Sequence, residues 1–131
     1  MKNGIIPAAF ADKIHGLLRI MSGLLFLAHG LTKLIHWPAT NYFPPDQPLP
    51  TMMLFVGILE TVGGLLITVG AFTRYAAFLC SGLMAAAYFM AHSGASIFPI
   101  QNGGELAIMF CFVFLFFASA GAGAFSVDNR K

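Results

Sequence analysis

The sequence predicts an all-α integral membrane protein, a four-helix bundle with both termini cytoplasmic. Three observations carry this expectation. The chain of 131 residues is 58% hydrophobic and only 9% charged, whereas a soluble domain carries roughly a quarter charged residues. Mean hydropathy is +0.81, and four apolar stretches approach the roughly 20 residues that cross a bilayer core of about 30 Å. Basic residues gather on one side of those stretches. Seven basic and five acidic residues cannot cover a soluble globule, so lipid must solvate most of the surface. The same figures exclude collagen, coiled coil and disorder, and a scattered net charge of +2 excludes nucleic-acid binding. With no linker, residues 1–131 read as one domain.

The N-terminus does not read as a cleavable signal, because Lys2 precedes a weakly apolar stretch broken by Pro7. Residues Ile5 to Ile14 read as a short interfacial helix, with Ile6, Phe10 and Ile14 at spacing four. The first span runs from His15 to Ile35. It contains Arg19, His29 and Lys33, but Ile20 to Ala28 is almost wholly apolar. A loop from His36 to Thr51 follows, held extended by Pro44, Pro45, Pro48 and Pro50, with Trp37, Tyr42 and Phe43 as an interfacial belt. The remaining spans run from Met52 to Phe72, Arg74 to His92 and Glu105 to Phe125. Lys2, Lys13, Arg19, Arg74, Arg130 and Lys131 fall on the side of the termini and Lys33 alone near the other. That asymmetry predicts cytoplasmic termini and a multi-pass protein of the plasma membrane. Cys80 and Cys111 should differ in height by roughly 12 Å, too far for a disulfide, and are expected as free thiols.

Polar residues inside the spans mark candidate function. His15, Arg19, Ser22, Phe26, His29 and Lys33 share one stripe of the first helix, beside Gly16, Gly23 and Gly30 at seven-residue spacing. Such a stripe faces protein, unless Arg19 and Lys33 snorkel to opposite headgroup layers. Glu60 lies about eight residues inside the second span and needs a proton or a cationic partner. Depth points to His29, with Arg19 as the alternative. Tyr88, His92, Asn102 and Glu105 lie in the outer half of the third and fourth spans, where they either join Lys33, His29 and Glu60 in one polar cavity or make separate interfacial contacts. Haem is disfavoured because His29 and His92 differ in depth, and a di-iron site because Glu-x-x-His pairs are absent.

The run Arg19-x-x-x-Gly23, then Gly30-x-x-Lys33, Gly57-Ile58-Leu59-Glu60 with Gly63-Gly64 and Gly70, Arg74, Pro99 to Glu105, and a closing Gly121-Ala122-Gly123 resembles the DoxX family over roughly Arg19 to Asp128. The resemblance implies a small four-helix membrane protein of redox physiology; relatives include the membrane subunit of an archaeal thiosulfate:quinone oxidoreductase. On that basis the leading expectation is a subunit that binds quinone or a similar apolar molecule. Glu60 and His29 would exchange a proton with it, Lys33 and His92 would stabilise negative charge, and Phe26, Phe89 and Phe112 would flank the ring. Arg19, Tyr88, Asn102 and Glu105 complete the candidate set. Electrons would come from the quinone itself or from a protein partner, and no resident metal is expected. Two other readings stay open: a non-catalytic accessory subunit, or homo-oligomer, packed through the Phe-rich last span, and a proton-coupled carrier with Glu60 as the titrating group.

Overall fold

The computed structural model describes residues 4–130, so Lys2 and Lys131, which entered the expectation about orientation, lie outside the described residues. Among the described residues there are five α-helices. They are α1 (Ala11–Ile35), α2 (Thr51–Val69), α3 (Thr73–Ala91), α4 (Pro99–Asn102) and α5 (Glu105–Ala120). The first three are long and apolar enough to cross a membrane. At 16 residues α5 is apolar but shorter, about 24 Å at 1.5 Å per residue.

Helix ends follow from local chemistry. Residue His36 takes a left-handed conformation (φ 56°) after α1, and Gly70 (φ 70°) ends α2 while its N–H returns to the carbonyls of the last turn. Pro50 precedes α2 and Pro99 opens α4, positions where a missing N–H costs nothing. Two expectations are corrected here. Residues 5–14 form no separate interfacial helix, because a 3-10 turn at Ala8–Phe10 feeds directly into α1. The last helix stops at Ala120 rather than Phe125, because Gly121 (φ 88°, ψ −160°) leaves helical space and residues 121–130 turn back under the bundle. We call this segment the strap.

The helices alternate in direction. Pairing α1 with α2 and α3 with α5 gives the two intimate contacts, and α2 meets α3 more lightly. The α1/α2 seam is set by small residues. A methyl added at Gly23 would lie 2.7 Å from the Thr68 nitrogen, at Gly30 2.6 Å from the Thr61 nitrogen and at Gly64 2.6 Å from the Leu27 nitrogen. Backbone therefore lies on backbone at seven-residue intervals up one helix and down the other. Between the pairs sits a core of Phe26, Ile67, Cys80, Met84, Phe110 and Phe114. Larger apolar side chains such as Leu25, Phe55, Leu65 and Phe78 point outward, as expected where lipid is the solvent. Both cysteines are free.

Gly23→Ala should force α1 and α2 apart and cost about 1–3 kcal/mol, read as a lower melting temperature in detergent. Gly82, in the interior of α3, where an added Cβ meets nothing within 4 Å, is the control: Gly82→Ala should not lower the melting temperature, since alanine only favours the helix there. Equal effects at both positions would show that close approach does not set this seam.

Candidate functional site

Two polar assemblies are buried in the bundle, one toward the end that carries the 36–50 loop and one at the end that carries the strap. In the first, Lys33 Nζ donates to Glu60 Oε2 at 2.6 Å, and both side chains are more than nine-tenths buried. The lysine also donates to the His29 carbonyl at 3.2 Å. The expected partner of Glu60 is thus corrected from His29 or Arg19 to Lys33. Side-chain direction explains it. Cβ atoms tilt toward the N-terminus of their own helix, so in an antiparallel pair Lys33 reaches down into the bundle while Glu60, one turn deeper, reaches up. Nor does Lys33 snorkel outward. The 36–50 loop lays Phe43 over its ammonium, 5.1 Å from the ring centroid. His36 Nδ1 donates to the Phe43 carbonyl at 3.0 Å, and Thr32 Oγ1 donates to the Pro38 carbonyl, holding the loop against the end of α1.

The remaining outer candidates separate. The imidazole of His29 is exposed on α1 and stands edge-on to Phe110 at 5.9 Å. Asn102 Nδ2 donates to the Tyr88 hydroxyl at 3.1 Å and to the Ser96 carbonyl at 3.0 Å, its Oδ1 accepts the Gly104 N–H at 2.8 Å, and its carbonyl accepts from His92 Nδ1 at 3.0 Å. Tyr88, His92 and Asn102 therefore clamp the link between α3 and α5, as the separate-contact reading expects. Glu105 is exposed in the first turn of α5, complementing its positive end. Phe26 is buried and packs in T-shaped contacts with Phe110 and Phe114. Phe89 and Phe112 are 71% and 64% exposed, so the expectation that all three phenylalanines flank one interior ring is corrected: alternate helix faces send two of them outward.

At the other end Arg19 is fully buried. All five of its N–H donors are used: Nε bonds the Ala122 carbonyl at 2.7 Å, Nη1 the Ile67 carbonyl at 2.9 Å and the Thr68 carbonyl, and Nη2 the Ala124 and Phe125 carbonyls at 2.9 and 2.8 Å. It binds the last turn of α2 and the strap together, so its expected place in a ligand cavity of the outer half is corrected. The strap makes further ties. Ala124 N–H donates to the Asp12 carbonyl, Val127 N–H to Val69 and Asp128 N–H to Gly70, while His15 Nε2 donates to the Gly121 carbonyl at 2.9 Å. Asp128 in turn accepts the Phe72 and Thr73 N–H groups at 2.8 and 2.9 Å, capping α3 from 55 residues away. Partial burial alone would raise the Asp128 pKa, but the Thr73 and Phe72 donors, with Arg19, outweigh it and hold the carboxyl below its usual range. Sequence reasoning missed Asp128; the paired glycines Gly121 and Gly123, both at positive φ, were the available signal that the last span ends early.

Arg19→Lys keeps the charge but can serve at most three of five carbonyls, and should cost about 2 kcal/mol or more. For Asp128 the sign is set by its depressed pKa: its contribution is complete at neutral pH and is lost as pH falls through and below the ordinary aspartate value of about 3.9. Asp128→Asn should melt lower at neutral pH and show a shallower decline on acidification. An unchanged acid-side decline would remove Asp128 from this role.

The DoxX family model matches residues 15–93. An uncharacterized protein of Haemophilus influenzae is 41% identical over 86% of this chain and 87% of its own length. The inner membrane protein YqjF of Escherichia coli is 31% identical over 86% of this chain and 90% of its own length. A Bacillus subtilis protein named "Putative oxidoreductase CatD" is 37% identical over 44% of each chain. No solved structure matches.

Proposed function

The chain belongs to the DoxX family and is a multi-pass protein of the cell membrane, and from that premise we propose that it is a membrane subunit of a redox system whose buried Lys33–Glu60 pair exchanges protons with a quinone-like apolar carrier. One observation carries the reading: an ion pair of 2.6 Å sits inside two apolar helices, shielded by Phe43 from the loop side. Burying such a pair gains little for stability over apolar packing, and ionisable groups at membrane depth commonly mark proton pathways. The name of the Bacillus subtilis relative supports redox chemistry as the setting.

The geometry suggests how the carrier would approach. Helices α1 and α5 touch through few residues, and the exposed His29 imidazole stands at that seam beside Phe110. A planar apolar ring arriving from lipid would meet His29 at its carbonyl oxygen. Protons for that oxygen would come by way of the Lys33–Glu60 pair, one helical turn away. Reduction of a quinone takes two electrons and two protons; this chain would supply the proton path and the electrons would come from the redox partner.

In a second reading, an accessory subunit, some of the outward Phe78, Phe89 and Phe112, each more than 60% exposed, would meet a neighbouring membrane protein in place of lipid.

Stability and function can be told apart at the pair. Glu60→Gln leaves Lys33 uncompensated and should cost about 3–5 kcal/mol, whereas Lys33→Met with Glu60→Leu should be near neutral. The double variant should accumulate normally yet lose quinone-linked electron transfer in membrane vesicles by at least about 100-fold. Full activity in a stably folded double variant would make the pair structural and leave the accessory reading.

A further inference from the structure

A cavity of about 420 Å³ opens at the strap end of the bundle, away from the Lys33–Glu60 pair. Its walls carry both signs of charge. Asp12, from the first turn of α1, and Asp128, from the strap, contribute carboxylates, while Arg74, at the start of α3, contributes a guanidinium. Arg74 spends Nη1 on the Ala118 and Ser119 carbonyls, closing the end of α5. Its Nε and Nη2 hydrogens have no acceptor among the described residues, and the Asp12 carboxylate has no ion-pair partner among them. Opposite charges thus face one cavity without neutralising each other. On its rim Phe72 and Tyr75 are 72% and 77% exposed, at the beginning of a membrane-length helix, where aromatic side chains meet headgroups.

We propose that this cavity binds the headgroup of a phospholipid bearing a primary amine, with the phosphodiester on Arg74 and the ammonium between Asp12 and Asp128. Each component of the ligand follows from a wall. A guanidinium with two free donors on one edge matches two phosphate oxygens. Carboxylates are acceptors only, so the cationic part must carry N–H bonds, which a trimethylated amine lacks. An anionic headgroup without an amine would occupy Arg74 but leave the Asp12 carboxylate, which has no ion-pair partner among the described residues, beside a further negative charge. The exposed aromatic rim favours a lipid over a free phosphate compound, since acyl chains would lie against Phe72 and Tyr75 while the headgroup turns inward.

The test is competition in detergent among dioleoyl phosphatidylethanolamine, phosphatidylcholine and phosphatidylglycerol, read by native mass spectrometry of the full chain. Phosphatidylethanolamine should be retained about tenfold better than either rival, the worth of one charge-assisted hydrogen bond. Asp12→Asn, whose side chain makes no hydrogen bond or ion pair among the described residues, should erase that preference while lowering melting by no more than the loss of one first-turn charge. Arg74→Gln should weaken retention of all three lipids. Equal retention of the three lipids, or an Asp12→Asn variant that keeps the preference, would overturn the assignment. Soluble phosphoethanolamine displacing the lipid at equal concentration would overturn the lipid as the source.

Discussion

In hydrocarbon every backbone N–H and C=O must find a partner inside the protein, and in this fold Arg19 is the group on which that accounting turns. At the end of α2 the Thr68 carbonyl takes its donor from Arg19, and the Ile67 carbonyl, which also accepts the Gly70 N–H, takes a second; the strap brings the carbonyls of Ala122, Ala124 and Phe125 to the same place. One planar guanidinium meets all five. The converse also holds, because a buried cation would be intolerable without those acceptors. Carbonyls and arginine are each the reason the other can be buried. Asp128 works the same way with opposite sign, accepting N–H groups at the start of α3 that no helical residue can serve.

The glycine register links this end of the molecule to the other. Contact of backbone against backbone at Gly23, Gly30 and Gly64 leaves α1 and α2 no freedom to slide. Lys33 is therefore delivered one turn above Glu60, at a separation its own length closes. A looser seam filled by leucines would allow several registers and several partners for the carboxylate. Fixing the helices with small residues thus fixes the charges, and the electrostatics at the loop end follow from sterics in the middle.

What the sequence disclosed and what it hid divide along the same line. Hydropathy located α1, α2 and α3 to within a few residues because lipid imposes a length and a composition, and the seven-residue recurrence of Gly16, Gly23 and Gly30 announced the packed face. The set of polar residues was legible too, since charge in an apolar run stands out. Their pairing was not. Heights along the helix pointed Glu60 to His29, but a lysine side chain spans more than a helical turn and both chains lean toward each other. The strap escaped notice for a different reason: its ties run from main chain to main chain, or from main chain to side chains more than 50 positions distant, and such bonds leave no periodic trace.

The position of the strap bears on the order in which this protein is made. Helix α1 leaves the ribosome first and carries Arg19 into the membrane, yet three of the five carbonyls that satisfy it belong to residues 122, 124 and 125. The full set of acceptors for the guanidinium therefore exists only once more than a hundred further residues have been added. Closure of the strap is then the event that completes the burial of Arg19. A chain shortened before residue 122 would keep the α1/α2 seam but leave three of the five Arg19 donors without their acceptors.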